Sequence, residues 1–200
     1  MDRHPTAQRI LDAAVRLIDE TGEAGLRIQD VQTTADVTAP SIYHFFGSRD
    51  GLVREAQAVR LRRTFDANDA TLDEVLADVR SKEDLRRALT GFLRIFFDPE
   101  RARVRQQRMA TLGSVEGRPD LADHFAHIID SYVEERTARL RPFQEKGWIE
   151  PDLDLRVFNY WLLGVVFGRA YVELADSSAP QAEWDLMSER AIAFIMFGPD

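Results

Sequence analysis

The residues from Thr38 to Arg49 combine small, hydroxylated, aromatic and cationic side chains at spacings that suit contact with nucleic acid. Thr38 is a good helix N-cap, and Pro40 falls in the first helical turn, where its missing N–H is tolerated. Small side chains let a helix lie close to base edges, while hydroxyl, imidazole and guanidinium groups can bind phosphate oxygens. The predicted DNA-contacting residues are Arg27, Thr38, Ala39, Pro40, Ser41, Tyr43, His44, Ser48 and Arg49.

Three of these residues have a second interpretation. Tyr43 has packing on the first helix as its alternative. Arg49 has an ion pair with Asp50 or Glu55 as its alternative, although surface pairs of this kind contribute little to stability. Arg27 is either a phosphate ligand or a solvated surface arginine, and the sequence leaves both open. For Tyr43 and Arg49 we predict phosphate contact.

The elements that must position these side chains are short helices. Apolar residues at three- and four-residue spacing predict a first helix over Thr6 to Thr21, and a second begins at Ile28. A turn at Ala35-Asp36-Val37 leads to a third helix, from Ala39 to about Phe45. Positive φ is usual in such turns, and Asp tolerates it better than most non-glycine residues. Together the second and third helices predict a helix-turn-helix, whose second helix enters the DNA major groove.

The rest of the chain is also helical in its periodicity. Residues 66–84 are acidic and lightly apolar, which suits a connecting helix or loop. Further helices are predicted over 85–97, 99–112, 120–145, 154–174 and 180–197. The arginines between positions 101 and 108 are interpreted as a solvated face. We therefore predict an all-α fold of about nine helices, with a DNA-binding domain over residues 1–65, including a connecting fourth helix, and a larger second domain over 66–200.

Composition and charge limit the possible functions. The chain has 200 residues, no cysteine and a formal net charge of -8. The absence of cysteine excludes disulfides and thiolate chemistry. Residues 1–65 hold equal numbers of basic and acidic side chains, so the excess acid lies in the second domain. No export signal and no membrane-length apolar stretch is evident, so we expect a soluble cytoplasmic protein associated with the nucleoid. A neutral DNA-binding domain predicts a shallow salt dependence.

The run from Thr34 to Leu52 resembles the DNA-binding signature of the TetR family of transcriptional regulators. The positions that match outright are Ala35, Val37, Tyr43, Phe46, Ser48 and Leu52. Asp36 stands where that signature usually has glycine, and Pro40 replaces another common glycine. The resemblance covers about the first 60 residues, and the acidic helical remainder is similar to the family's effector domain only in general character. It implies a repressor that binds a palindromic operator as a homodimer and is released by a small, mostly apolar effector.

The resemblance also implies sites in the second domain. The last two helices are more apolar than one monomer's inner face requires, and the family uses them as a dimer interface. The residues expected there are Phe158, Trp161, Leu162, Val165, Val166, Trp184, Met187, Ala191 and Phe194. The alternative is that these residues form only the monomer core. The residues expected to line an effector pocket are Phe92, Phe96, Met109, Phe125, His127 and Tyr132.

Two other classes of function remain open at this point. One is a helical ligand- or partner-binding protein without DNA activity, and the other is a helical enzyme. An enzyme would need a nucleophile and base or a metal cluster in a cleft, and the sequence shows no such set. His124 and His127 share a helical face but have no identifiable third ligand, so we expect no metal and no cofactor.

Overall fold

A computed structural model describes residues 3–175 and 180–199 of this protein, and no strand occurs within them. Nine α-helices follow one another in this part of the chain: α1 Pro5–Thr21, α2 Ile28–Ala35, α3 Ala39–Phe46, α4 Arg49–Leu76, α5 Lys82–Phe97, α6 Ala102–Gly113, α7 Pro119–Glu145, α8 Leu155–Leu174 and α9 Gln181–Phe197. Short 3-10 helices lie at Glu23–Gly25 and Pro99–Arg101. The prediction of an all-α fold with about nine helices is confirmed.

The chain forms two compact units. The first comprises residues up to 63 together with Thr111–Phe125, and the second comprises Thr64–Ala110 with the residues from 126 onward. The predicted division at residue 65 placed 111–125 in the second domain, whereas this segment groups with the N-terminal helices. Ion pairs supply the reason, because Arg118 binds Glu23 and Arg54 binds Asp120 at 2.9 Å.

The core of the first unit draws one apolar face from each of its four N-terminal helices. Ile10 of α1, Val31 of α2, Ile42 of α3 and Leu52 of α4 are all fully buried. Burying such side chains stabilises the unit by roughly 1.5–3 kcal/mol each. The small size of α2 and α3 means that this shared core, rather than helix propensity, fixes their positions.

The second unit has a separate core on the remaining helices. Its buried members include Leu72, Leu85, Phe92, Leu93, Leu140, Phe158, Val166, Ile192 and Met196. Helix α4 runs without a break from Arg49 to Leu76, so the segment predicted as a connecting helix or loop continues as helix for its first half. In the part of the chain described here, no helix is both long and apolar enough to cross a membrane.

Candidate functional site

The turn between α2 and α3 is built around Asp36. Its backbone has φ 52° and ψ 60°, a left-handed conformation that no other non-glycine residue adopts within the described ranges. The N–H of Val37 donates to the carbonyl of Gln32 at 3.1 Å and closes the end of α2. The positive φ predicted for this turn is confirmed. Asp36 therefore does the conformational work that glycine usually does at such a position.

Helix α3 has one buried and one exposed face. Ile42 is fully buried and Phe46 is 8% exposed, so these residues fix the helix on the core of the first unit. Tyr43 lies on the other side with 46% of its surface exposed, so it is not part of the core, and its contact with phosphate stays a prediction. Gly47 ends the helix with φ 75°, and its N–H donates to the carbonyl of Tyr43 at 2.9 Å.

The other predicted contacts on α3 lie at its N-terminal end and on its exposed side. Thr38, Pro40 and His44 are exposed, while Ala39 and Ser41 are half-buried. The hydroxyls of Thr38 and Ser41 lie 3.3 Å apart, so the two side chains form one small polar surface at the start of the helix. This arrangement suits contact with base edges and phosphates, although binding itself stays a prediction.

Arg49 has partners within the protein. Its Nε donates to the carbonyl of Leu26 at 3.2 Å, and its Nη2 donates to the carbonyl of Glu23 at 3.0 Å. Its Nη1 lies 3.6 Å from a carboxylate oxygen of Asp50, the pairing that the sequence offered as an alternative. The guanidinium thus first ties the start of α4 to the loop before α2. Any phosphate contact of Arg49 would have to be made alongside these internal hydrogen bonds, and this contact stays a prediction.

Glu23 makes long-range contacts within the first unit that no local sequence pattern indicates. Its carboxylate accepts a hydrogen bond from Gln57 at 2.7 Å and another from Arg118. Burial alone would raise the pKa of Glu23, but these hydrogen bonds and the charges of Arg118 and Arg49 outweigh burial and lower the pKa. Glu23 thereby joins the loop before α2 to α4 and to the segment 111–125, all within the first unit.

Ser48 and Arg27 have capacity for an external ligand. The hydroxyl of Ser48 accepts from the N–H of Gly51 at 2.9 Å, which leaves its own proton available to donate. Arg27 is exposed at the N-cap of α2, and no carboxylate of the described residues pairs with it. Of the two predicted arginine contacts, Arg27 is therefore the less committed cation.

The second unit contains a cavity with about 310 Å³ of space between its atoms, including the part open to solvent. Its lining residues are Asn68, Leu93, Phe96, Arg108, Tyr132, Arg136, Asn159, Leu162, Leu163 and Val166. A second cavity, with about 270 Å³ of space between its atoms including the part open to solvent, shares three of these residues and is lined by Leu89, Phe92, Leu93, Arg136, Leu140, Phe158, Leu162, Ile192 and Met196. Together they provide a polar end beside an apolar continuation.

Half of the predicted pocket residues line these cavities and half do not. Phe96 and Tyr132 line the first cavity and Phe92 lines the second. Met109, Phe125 and His127 line neither of these two cavities, so their assignment to a pocket stays a prediction. His127 is exposed and Met109 is half-buried. Phe125 is buried but belongs to the first unit.

The arginines between positions 101 and 108 were interpreted as a solvated face, and this interpretation is wrong for two of them. Arg105 is 4% exposed and Arg108 is 5% exposed. Arg105 donates from Nη2 to the carbonyl of Asp98 at 2.9 Å and from Nε to Glu173 at 2.9 Å. Because Glu173 is 68 positions away in the sequence, local pattern could not reveal this pair.

The surface of α8 and α9 exposes large apolar side chains. Trp161, Met187 and Phe194 of the predicted dimer interface are 40%, 60% and 62% exposed. Leu162, Val165, Trp184 and Ala191 are half-buried. The sequence analysis missed four other exposed apolar residues on these helices, which are Val157, Tyr171, Leu174 and Leu186.

Two predicted interface residues face inward. Phe158 is 4% exposed and Val166 is 5% exposed, and both belong to the core of the second unit. Their assignment to the subunit interface is corrected on this ground. The alternative of a monomer core thus holds for these two residues, whereas Trp161, Met187 and Phe194 of the same helices are exposed among the residues that the structure describes.

His124 and His127 lie three residues apart on α7. His127 is exposed and His124 half-buried. No group of three potential ligands among His, Asp and Glu side chains is arranged around a metal position in the described part of the chain.

Comparison with known proteins agrees with the geometry of the first unit. Residues 10–56 match the family model described as bacterial regulatory proteins, tetR family. The helix-turn-helix transcriptional regulator BetI of Paraburkholderia phytofirmans is 32% identical over 74 residues, which are 37% of this chain and 38% of that protein. The chain therefore spans about two-fifths of the length of this relative.

Solved structures share the fold over nearly the whole chain. GusR of Salmonella enterica superposes with a TM-score of 0.66 at 20% identity and covers 98% of this chain and 97% of its own. A Mesorhizobium loti protein described as a TetR-family transcriptional regulator has a TM-score of 0.72 at 14% identity and covers 98% and 100%. BetI and the Mesorhizobium loti protein are both described as transcriptional regulators.

Proposed function

We propose that this chain, whose residues 10–56 belong to the TetR family of bacterial regulatory proteins, is a DNA-binding transcriptional repressor. It binds a palindromic operator as a homodimer, and a small effector releases it. The observation that carries the proposal is the exposed face of α3, held outward by Ile42 and Phe46 on the core and by the left-handed Asp36 at the turn. Such a protein acts at the nucleoid in the cytoplasm.

The contacts with DNA follow from what α3 and its neighbours expose. Tyr43 and His44 present a hydroxyl and a ring nitrogen to phosphates, while Thr38 and the small residues after it approach base edges. Of the two arginines predicted to contact phosphate, Arg27 supplies the cation, because Arg49 donates to the carbonyls of Leu26 and Glu23. Because residues 1–65 are neutral overall, we expect a shallow salt dependence of binding.

The proposed dimer uses the exposed faces of α8 and α9. On α8 the positions 157, 161, 164, 171 and 174 repeat at helical spacing, and all are exposed. We propose that a second copy of this chain covers these faces. One helix-turn-helix contacts only a half-site, so two copies are needed to bind a palindromic operator. Gly164, which has no neighbouring atom within 4 Å of a Cβ added there, permits close approach of the two copies.

Release by an effector requires that ligand binding favour a conformation that binds the operator less well. The cavities of the second unit are the proposed effector site. Helices α4, α6 and α7 each contain residues of both units, so they provide a covalent route by which binding in one unit can bias the other.

The proposal is tested by retardation of the protein's own promoter DNA in a gel. Wild type should retard this DNA, Tyr43→Ala should lose most binding, and Arg27→Ala should weaken binding evenly across sequences. Arg62→Ala is the matched control, because Arg62 is exposed on α4 roughly 20 Å along the helix from its start. Equal retardation by wild type, Tyr43→Ala and Arg27→Ala would refute the assignment.

A further inference from the structure

Arg108 of α6 is a buried cation that has no carboxylate partner among the described residues. It is 5% exposed and lines the first cavity of the second unit. Its Nε and Nη1 have no hydrogen-bond acceptor among the described residues. A buried charged group is normally paired with a charge or fully hydrogen-bonded, because desolvation without compensation is costly. Arg108 therefore differs from Arg105, Arg136 and Arg169, each of which has a carboxylate oxygen within 4.0 Å.

The carboxylates near this cavity serve other arginines. Glu173 pairs with Arg105 and lies 3.3 Å from Arg169. Asp69 lies 4.0 Å from Arg136 and 3.5 Å from Arg139. None of these ion pairs includes Arg108. The buried part of the second unit thus holds more guanidinium charge than carboxylate charge.

Aromatic rings hold Arg108 in place without neutralising it. Its guanidinium lies 5.9 Å from the centre of the Phe65 ring, and Phe65 stacks on Tyr132 at 4.0 Å. Arg136 lies 5.4 Å from the centre of the Tyr132 ring on its own account. The guanidinium groups of Arg108 and Arg136 therefore each lie close to one ring of a stacked pair at the polar end of the cavity.

Two further donors belong to the same cavity. Asn68 is 4% exposed, and its Nδ2 has no acceptor among the described residues. The Tyr132 hydroxyl accepts a hydrogen bond from Arg136 at 2.9 Å, so its own proton remains free to donate. Donors from Arg108, Asn68 and Tyr132 thus line one cavity. A ligand with several hydrogen-bond acceptors would satisfy all three.

The remainder of the lining is apolar. Leu93, Phe96, Leu163 and Val166 form the other part of the wall, and the neighbouring second cavity adds further aliphatic and aromatic surface. A ligand that satisfies both parts has one charged end and a hydrocarbon body.

We infer that the effector of this protein is an amphipathic anion, whose carboxylate or similar head group binds Arg108, Asn68 and Tyr132 and whose apolar body lies against Leu93 and Phe96. This inference rests on the proposed function, because a ligand bound here is an effector only if the protein is a regulator. Burial lowers the pKa of Arg108 to about 10, so the guanidinium keeps its charge at neutral pH and attracts an anion. The family resemblance implied only a mostly apolar effector.

The test compares ligands that differ in head group at one chain length, and carboxylates that differ in chain length. Butanoate, hexanoate and octanoate are titrated into the full-length protein by calorimetry, alongside octan-1-ol, octylammonium and sodium acetate. Charge-assisted hydrogen bonds predict that octanoate binds roughly 10- to 100-fold more tightly than octan-1-ol. In Arg108→Met this preference should vanish, whereas Arg103→Met, which changes an exposed arginine of the same helix, should retain it.

The possible results separate the inference from the proposed function. Equal affinity for octanoate and octan-1-ol, an undiminished preference in Arg108→Met, or no binding by any carboxylate in the series would overturn the inference. Each of these results leaves promoter retardation untouched. Selective octanoate binding by a protein that does not retard promoter DNA would support the anion site and refute the repressor. A melting temperature for Arg108→Met at or above that of wild type shows that lost binding is not lost folding.

Discussion

Replacing Arg108 by methionine should stabilise the ligand-free protein. Methionine fills a similar volume without charge, and removing an unpaired buried charge is favourable when packing is kept. Burial, opposed mainly by Tyr132 and reinforced by Arg105 and Arg136, lowers the pKa of Arg108 from its ordinary value to about 10. Each pKa unit corresponds to about 1.4 kcal/mol, so keeping this charge in the folded state costs roughly 3 kcal/mol.

Part of that gain is lost with the contact to the Phe65 ring. A cation–π contact contributes about 1 kcal/mol at such a site. The expected net stabilisation is therefore about 2 kcal/mol, which corresponds to a rise in Tm of roughly 4–8 °C for a chain of this length. Thermal and urea unfolding followed by circular dichroism measure both quantities.

Arg105→Met provides a control of opposite sign three residues away on the same helix. Arg105 is equally buried, but it is paired with Glu173, so its removal leaves a buried carboxylate with less compensation. We expect a loss of roughly 2–4 kcal/mol for Arg105→Met. Arg103→Met, at an exposed position, should stay within about 0.5 kcal/mol of wild type.

The stabilisation should depend on pH in one direction. The pKa of Arg108 is lower in the folded state than in the unfolded state. Below about pH 10 both states carry the charge and the penalty is fully present. Between the two pKa values the folded protein loses the proton first, so the advantage of Arg108→Met shrinks as pH rises through 10. A melting temperature for Arg108→Met well below that of wild type at neutral pH would show that Arg108 has a structural partner and refute the reasoning.

Three further predictions concern the turn, the acid in the first unit and the exposed apolar face. Asp36→Val should destabilise the protein by roughly 1–2 kcal/mol in thermal unfolding, because a β-branched residue does not tolerate φ 52°, while Asp36→Gly should not. Glu23→Gln should cost about 1 kcal/mol near neutral pH, because the ion pair with Arg118 lowers the pKa of Glu23 despite its burial. Since a lowered pKa gives stability that is present above the ordinary value of 4.5 and lost as pH falls below it, urea unfolding curves of this variant and wild type should converge in acid. Tyr171→Glu and Phe194→Glu, at residues 66% and 62% exposed, should shift the protein to monomer in analytical ultracentrifugation without lowering the monomer's helix content.

Much of the first unit could be predicted from its sequence because its signals are local. The proline in the first turn and the glycine at position 47 mark the ends of α3 within a residue of the prediction, whereas the side chain of Thr38, at the N-cap position, makes no capping hydrogen bond. The left-handed turn at Asp36 follows from the same short stretch. Helix boundaries, capping and the alternation of faces depend on neighbours within about one turn, and the sequence states those neighbours directly.

Tertiary structure decided what each arginine does. Arg49 and Arg27 both look like phosphate ligands in the sequence, but only the folded chain brings the carbonyls of Leu26 and Glu23 to Arg49. Arg105 and Arg108 look like one basic stripe, yet both are buried and only Arg105 meets a carboxylate.

The faces of α8 could not be assigned from sequence for a related reason. This helix is apolar around most of its circumference, so its pattern does not reveal that Phe158 points inward while its neighbour Val157 is 61% exposed. The sequence by itself determined the helices, the helix-turn-helix and the acidic character of the second domain. The tertiary structure alone decided which charges are paired and which apolar residues are covered, because those partners lie tens of positions apart and meet only when the helices pack.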